Sequence, residues 1–115
     1  MTSLPDLLRR TLEMNASDLH LTAGSPPQVR VDGDLQRLDL PELTPSDTKQ
    51  YAYSVLTDAQ KKRFEEALEL DFSFGLRGMA RFRCNVFSQR GAVAAVYRVI
   101  IENIRGFKDL ALPDV

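Results

Sequence analysis

The chain has 115 residues, 43% hydrophobic and 27% charged, with six Gly, six Pro and a net charge of −1, which fits one folded domain and argues against a disordered chain or a general nucleic-acid binder. No apolar run approaches the roughly 20 residues needed to cross a bilayer, and Met1 to Asp6 carries no signal-peptide pattern. The single cysteine, Cys84, excludes an internal disulfide, and with His20 the only histidine a structural zinc site is nearly excluded; the expected location is cytoplasmic.

Ser3 followed by Asp6 is a helix start, and Leu4, Leu7, Leu8 and Leu12 recur at helical spacing, which predicts a first helix from about Leu4 to Met14. Leu19 and Leu21 alternate with Asp18, His20 and Thr22 as in a half-buried strand. Val29 and Val31 alternate with Gln28 and Arg30 up to Asp32-Gly33, a strong hairpin signal, with a return strand from Leu35 to about Leu38. Thr44, Pro45 and Asp47 open a second helix carrying Tyr51, Ala52, Val55 and Leu56. Thr57 and Gln60 open a third, with Phe64, Ala67 and Leu68 on its inner face. Glu65-Glu66 on that helix reads as a solvated face rather than an acid/base pair. Leu70, Phe72 and Phe74 restore strand periodicity, and a long hairpin follows, from about Ala80 to Phe87 and from Ala92 to Ile100. The order α-β-β-β-α-α-β-β-β predicts an α+β domain, an antiparallel sheet with helices packed on one face. Residues 1–101 form this domain. From Glu102 to Val115 both periodicities are lost, which reads as a linker in a longer protein.

Charge is unevenly placed. Between Phe72 and Ile101 there are five arginines, no lysine and no acid, while the remaining ten basic residues are outnumbered by the sixteen acids. Arginine without lysine suits fork-shaped recognition of carboxylate or phosphate. Arg81, Arg83 and Asn85 share one strand face; Phe82, Cys84 and Val86 share the other. If Arg90-Gly91 form a two-residue turn, Arg83 lies directly opposite Arg98. Like charges so placed repel unless an anion lies between them. Two readings follow from the pattern: the arginines bind an anion, or they pair with acids elsewhere in the fold or are solvated. The chain has no Gly-x-x-x-x-Gly-Lys-Ser/Thr loop and no catalytic constellation, so by itself it is not expected to be an enzyme.

The segment Asn15-Ala16-Ser17-Asp18-Leu19-His20-Leu21-Thr22-Ala23-Gly24 resembles the "ASDLHL" signature of secretion and pilus ATPases. Pro26-Pro27-Gln28-Val29-Arg30-Val31-Asp32-Gly33-Asp34-Leu35 resembles their "PPxxRxDGxL". Phe64-Glu65-Glu66 with Asp71-Phe72-Ser73-Phe74, and Ala80 through Gly91, are similar to "FEE…DFSF" and "ARFRVNxFxQRG" of the type IV pilus retraction ATPases of the PilT type. The likeness runs in order along the whole chain. It implies a PAS-like N-terminal domain, joined by residues 102–115 to a RecA-like domain with Walker motifs. It further implies a homohexameric twitching-motility motor that acts at the pilus base on the inner face of the membrane, using ATP and Mg²⁺.

In that family two arginines of the N-terminal domain reach the nucleotide phosphates. By motif position they are Arg83 and Arg98, as arginine fingers, with Arg81 a third candidate. Asp18 and His20 would form a structural network at a domain junction. Cys84 stands where relatives have a small apolar residue and would be a buried hydrophobe. Ile101 replaces a common proline, which changes the expected linker angle. Without the absent domain, the piece is expected to be monomeric, inactive and free of cofactor. Two alternatives remain open: a stand-alone PAS-like sensor or adaptor, and the N-terminal domain of a pilus extension or type II secretion ATPase. The short lead before the first helix and the "DFSF" element favour retraction.

Overall fold

A computed structural model describes residues 2–76, 78 and 80–100; the expected linker and Ile101 lie outside the described residues. Helix α1 spans Leu4–Glu13, where the Asp6 N–H donates to Ser3 Oγ at 3.2 Å and Leu4, Leu7, Leu8 and Thr11 form the buried stripe. Asn15, at φ 56°, adopts the left-handed conformation that asparagine tolerates and turns the chain out of the helix. Strands β1 (Asp18–Leu21), β2 (Gln28–Val31) and β3 (Asp34–Arg37) follow. Asp32 and Gly33 join β2 to β3 at φ 51° and 85°, the two positive angles of a tight hairpin.

Helix α2 covers Pro45–Tyr53 and α3 covers Asp58–Ala67, each opened by a reciprocal capping box, Thr44 with Asp47 and Thr57 with Gln60. Strands β4 (Glu69–Leu76), β5 (Ala80–Gln89) and β6 (Ala92–Ile100) complete the predicted order. Two expectations need correction. Val55 and Leu56 lie beyond α2, because the chain turns at Ser54 towards the Thr57 cap; Leu56 is buried from that connection. Phe64 is the one residue of α3 that is buried, whereas Ala67 is exposed and Leu68 is 56% exposed. Leu68 caps the helix at φ 61°, which turns it off the stripe that a continued helix would have given it. Glu65 and Glu66 are both exposed, and Glu65 accepts from the Tyr53 hydroxyl at 2.9 Å.

The six strands form one antiparallel sheet in the order β3-β2-β1-β6-β5-β4. Its period of two separates the faces. One face presents Leu19, Leu21, Val29, Phe82, Cys84, Val86, Ala95 and Tyr97, all buried, to Leu4, Leu7 and Leu8 of α1, Tyr51 and Ala52 of α2 and Phe64 of α3. Full burial of a side chain such as Leu7 or Leu8 stabilises by roughly 1.5–3 kcal/mol. Cys84 belongs to this core: desolvation pushes its thiol up to about 12, so it stays protonated and serves as a small hydrophobe. The opposite face carries Asp18 and His20 of β1, Gln28 and Arg30 of β2, Asp71 and Ser73 of β4, Arg81, Arg83 and Asn85 of β5 and Arg98 of β6.

The β5–β6 connection is the predicted two-residue turn, Arg90 at φ 54° and Gly91 at φ 79°. Glycine suits its position; arginine does not, since its Cβ crowds the carbonyl there. Arg90→Asn should therefore stabilise the chain by about 0.5–1 kcal/mol, read as a rise of a few degrees in Tm. An unchanged or lower Tm would mean that Arg90 makes an offsetting contact.

Candidate anion-binding face of the sheet

The register sets the site. Residues Arg30 of β2, Asp18 of β1, Arg98 of β6, Arg83 of β5 and Ser73 of β4 stand side by side in one row across the sheet. The adjacent row on the same face reads Gln28, His20, Val96, Asn85 and Asp71. Arg83 is directly opposite Arg98, as a two-residue turn at Arg90-Gly91 requires. Neighbouring strands are about 4.8 Å apart, so two guanidinium groups leave the sheet close enough to share one tetrahedral anion.

Each arginine of this pair also has a carboxylate. Arg83 donates from Nη2 to Asp71 Oδ2 at 3.0 Å and from Nε to Oδ1 at 3.4 Å, a two-point contact between exposed side chains. The hydrogen bond from Arg83 holds the Asp71 carboxyl below its ordinary range and raises Arg83 in return. Arg98 Nε lies 3.5 Å from Asp18 Oδ1. The arginine side chains are 66% and 69% exposed, so water and salt screen both pairs and an incoming anion can exchange for them. Asp71, Arg83, Asn85, Val96 and Arg98 line an open depression of about 350 Å³. The structure thus pairs Arg83 and Arg98 with acids, and leaves the two arginines adjacent on an open face.

Asp18 differs from Asp71 in depth. It is only 4% exposed, and Arg30 Nε (3.7 Å), His20 Nε2 (3.6 Å) and Arg98 Nε (3.5 Å) surround its carboxylate. Asp18 and His20, expected in a structural network at a domain junction, are neighbours on this face, and His20 Nε2 makes no hydrogen bond among the described residues. Burial lowers the His20 pKa, with Arg30 and Arg98 acting in the same direction and Asp18 opposing. His20 is therefore neutral in the folded protein when a histidine in the unfolded chain is already taking up its proton. Above about pH 6.5 neither state is protonated and the full stability is present. As pH falls through that value the unfolded chain gains the proton first, and stability is lost until the folded pKa is passed. Urea unfolding between about pH 7.5 and 5.5 should show that loss, and His20→Gln should flatten it; an identical slope in the variant would overturn the assignment.

Arg81 shares the face but stands one row away, between Gly75 and Ile100. Its guanidinium lies over Gly75, where an added Cβ would come within 3.2 Å of Arg81 Nη1. The arrangement gathers Arg83, Arg98, Asp18 and His20, and sets Arg81 towards the β4 side. Three participants were not singled out from the sequence: Asp71, Arg30 and Asn85. Counting back from a turn centred on Gly78 would have placed Asp71 opposite Asn85, diagonal to Arg83.

No protein-family model matches the chain. The type IV pilus retraction ATPase PilT of Pseudomonas aeruginosa is 43% identical over 97% of this chain and 33% of that protein. The crystal structure of the pilus retraction motor PilT with bound ADP superimposes with a TM-score of 0.85 at 49% identity, covering 99% of this chain and 34% of the other. The chain is an N-terminal domain of the PilT type. A twitching motility protein of Neisseria gonorrhoeae is 35% identical over 98% of this PilT-type domain and 30% of its own length. The domain thus spans about a third of the length of the curated relatives it matches.

Proposed function

We propose that this PilT-type domain works in a type IV pilus retraction ATPase, a homohexameric twitching-motility motor in the cytoplasm at the pilus base. There it presents Arg83 and Arg98 to the phosphates of ATP held by a RecA-like domain. The names of its relatives support the motor. The observation that carries the arginine role is the direct opposition of Arg83 and Arg98 on the sheet face opposite the one that packs against the three described helices.

The chemistry follows from charge. A γ-phosphoryl group in transfer spreads negative charge over its oxygens, and two guanidinium forks on adjacent strands can each meet a separate oxygen. Asp71 and Asp18 hold those forks in place beforehand, so the groups are ordered without being buried. The P-loop and the Mg²⁺ ligands would come from the companion domain: the chain lacks the loop motif, and among the described residues no cluster of three metal-ligating side chains occurs. Loss of the γ-phosphate would release the arginines. The domain, organised round one core cluster, would then move as a rigid body on its linker. Arg81 would play a lesser part, being one row removed. The deciding experiment is ATP turnover, together with twitching, by the protein joined to its nucleotide-binding domain and carrying a substitution at Arg83 or Arg98.

A further inference from the structure

Two arginines hold different oxygens of one buried carboxylate: Arg98 Nε lies beside Asp18 Oδ1 at 3.5 Å and Arg30 Nε beside Oδ2 at 3.7 Å. Their attachments differ. Arg30 is tied down a second time, its Nη1 donating to the Gly33 carbonyl in the β2–β3 turn at 2.9 Å. Arg98 has a 69% exposed side chain, faces Arg83 and lines the open depression. A carboxylate that is 4% exposed cannot cheaply lose its last cation, because the charge would remain buried and uncompensated. It can lose one of two.

We infer that Asp18 and Arg30 are positioning residues for Arg98. Asp18 holds Arg98 beside Arg83, and Arg30 keeps that carboxylate compensated while Arg98 turns to a phosphate oxygen. The inference rests on the phosphate role proposed above. Arg30 touches no phosphate in this scheme; it acts by making Arg98 releasable. His20, 3.6 Å from the same carboxylate, is neutral and cannot replace it. If Arg30 is removed, Arg98 becomes the remaining arginine on Asp18 and is held back from the nucleotide.

The test is a suppressor series in the protein joined to its nucleotide-binding domain. Arg30→Gln should lower kcat about fivefold with nucleotide affinity unchanged, the order expected when one ion pair must be broken without compensation. Arg30→Lys, which keeps the charge, should remain near wild type. Adding Asp18→Asn to Arg30→Gln should raise kcat to the level of Asp18→Asn alone, about twofold below wild type, since the retention of Arg98 is relieved while its positioning is lost. A double variant as slow as Arg30→Gln alone would overturn the inference, because a merely structural Asp18 would add its own defect.

A second measurement needs no nucleotide. In urea unfolding of the 115-residue chain at about pH 8, where His20 is neutral, Arg30→Gln and Arg98→Ala together should lower the folding equilibrium constant about tenfold beyond the product of the singles. Asp18→Asn should abolish that excess. Additive unfolding combined with slow turnover by Arg98→Ala would overturn the shared carboxylate and leave the phosphate role standing. An intact excess combined with normal turnover by Arg98→Ala would overturn the phosphate role, and with it the positioning of Arg98 for it.

Discussion

Alanine at Arg83 or at Arg98 is expected to cut ATP turnover by the joined protein about tenfold or more, while nucleotide still binds. Arginine fingers in other NTPases are worth roughly 10³–10⁵ in rate, so tenfold is the smallest loss compatible with the role. Binding should survive because, in the function proposed above, the P-loop that cradles the phosphates would be supplied by the companion domain. Folding should survive as well: both side chains are mostly exposed, and truncating them leaves the apolar face untouched. Unchanged unfolding transitions in both variants would therefore separate the chemical loss from a structural one. Lysine at either position should recover only part of the rate, since a point charge cannot form the planar two-point contact of a guanidinium. Arg81→Ala should cost less than either. Full turnover in both alanine variants would end the finger assignment.

The reach of the sequence differed between the fold and the site for a physical reason. Helix starts were legible because each is a local device: Ser3, Thr44 and Thr57 satisfy backbone donors only three residues away. The opposition of Arg83 and Arg98 was legible too, because one tight turn dictates every pairing of the hairpin it closes. Leu68 was misplaced since its hydrophobicity says nothing of the left-handed cap that ends α3 one residue earlier. Asp18 looked like an ordinary polar position on a strand. Its depth comes from Arg30 and Arg98, brought to its two sides by strands 12 and 80 residues away in the chain, and no short motif encodes that convergence. Asp71 lay just before the acid-free segment, so the uneven charge that drew attention to the arginines also drew it away from their partner.

The same hairpin supports the other large expected effect. Phe82→Ala should destabilise the chain by about 3–5 kcal/mol in urea unfolding, a large share of the roughly 5–15 kcal/mol that holds a domain folded. Phe82 is 0% exposed, and its ring lies 5.7 Å from that of Phe74, which meets Tyr97 edge-on at 6.3 Å. Removing it opens a cavity that the hydrogen-bonded strands of one sheet cannot collapse to fill. Phe82→Leu, which keeps most of the volume, should cost about 1–1.5 kcal/mol. A loss under about 1 kcal/mol for the alanine variant would show that this packing does not anchor the sheet. The consequence for function comes from the period of two along β5. Phe82 sits between Arg81 and Arg83, and a slip of one residue would bring Arg83 to the core face and Phe82 to water. The ring that stabilises the fold also keeps the guanidinium on the open face, so loosening it should weaken the phosphate contact proposed for Arg83 without altering any residue that the nucleotide would touch.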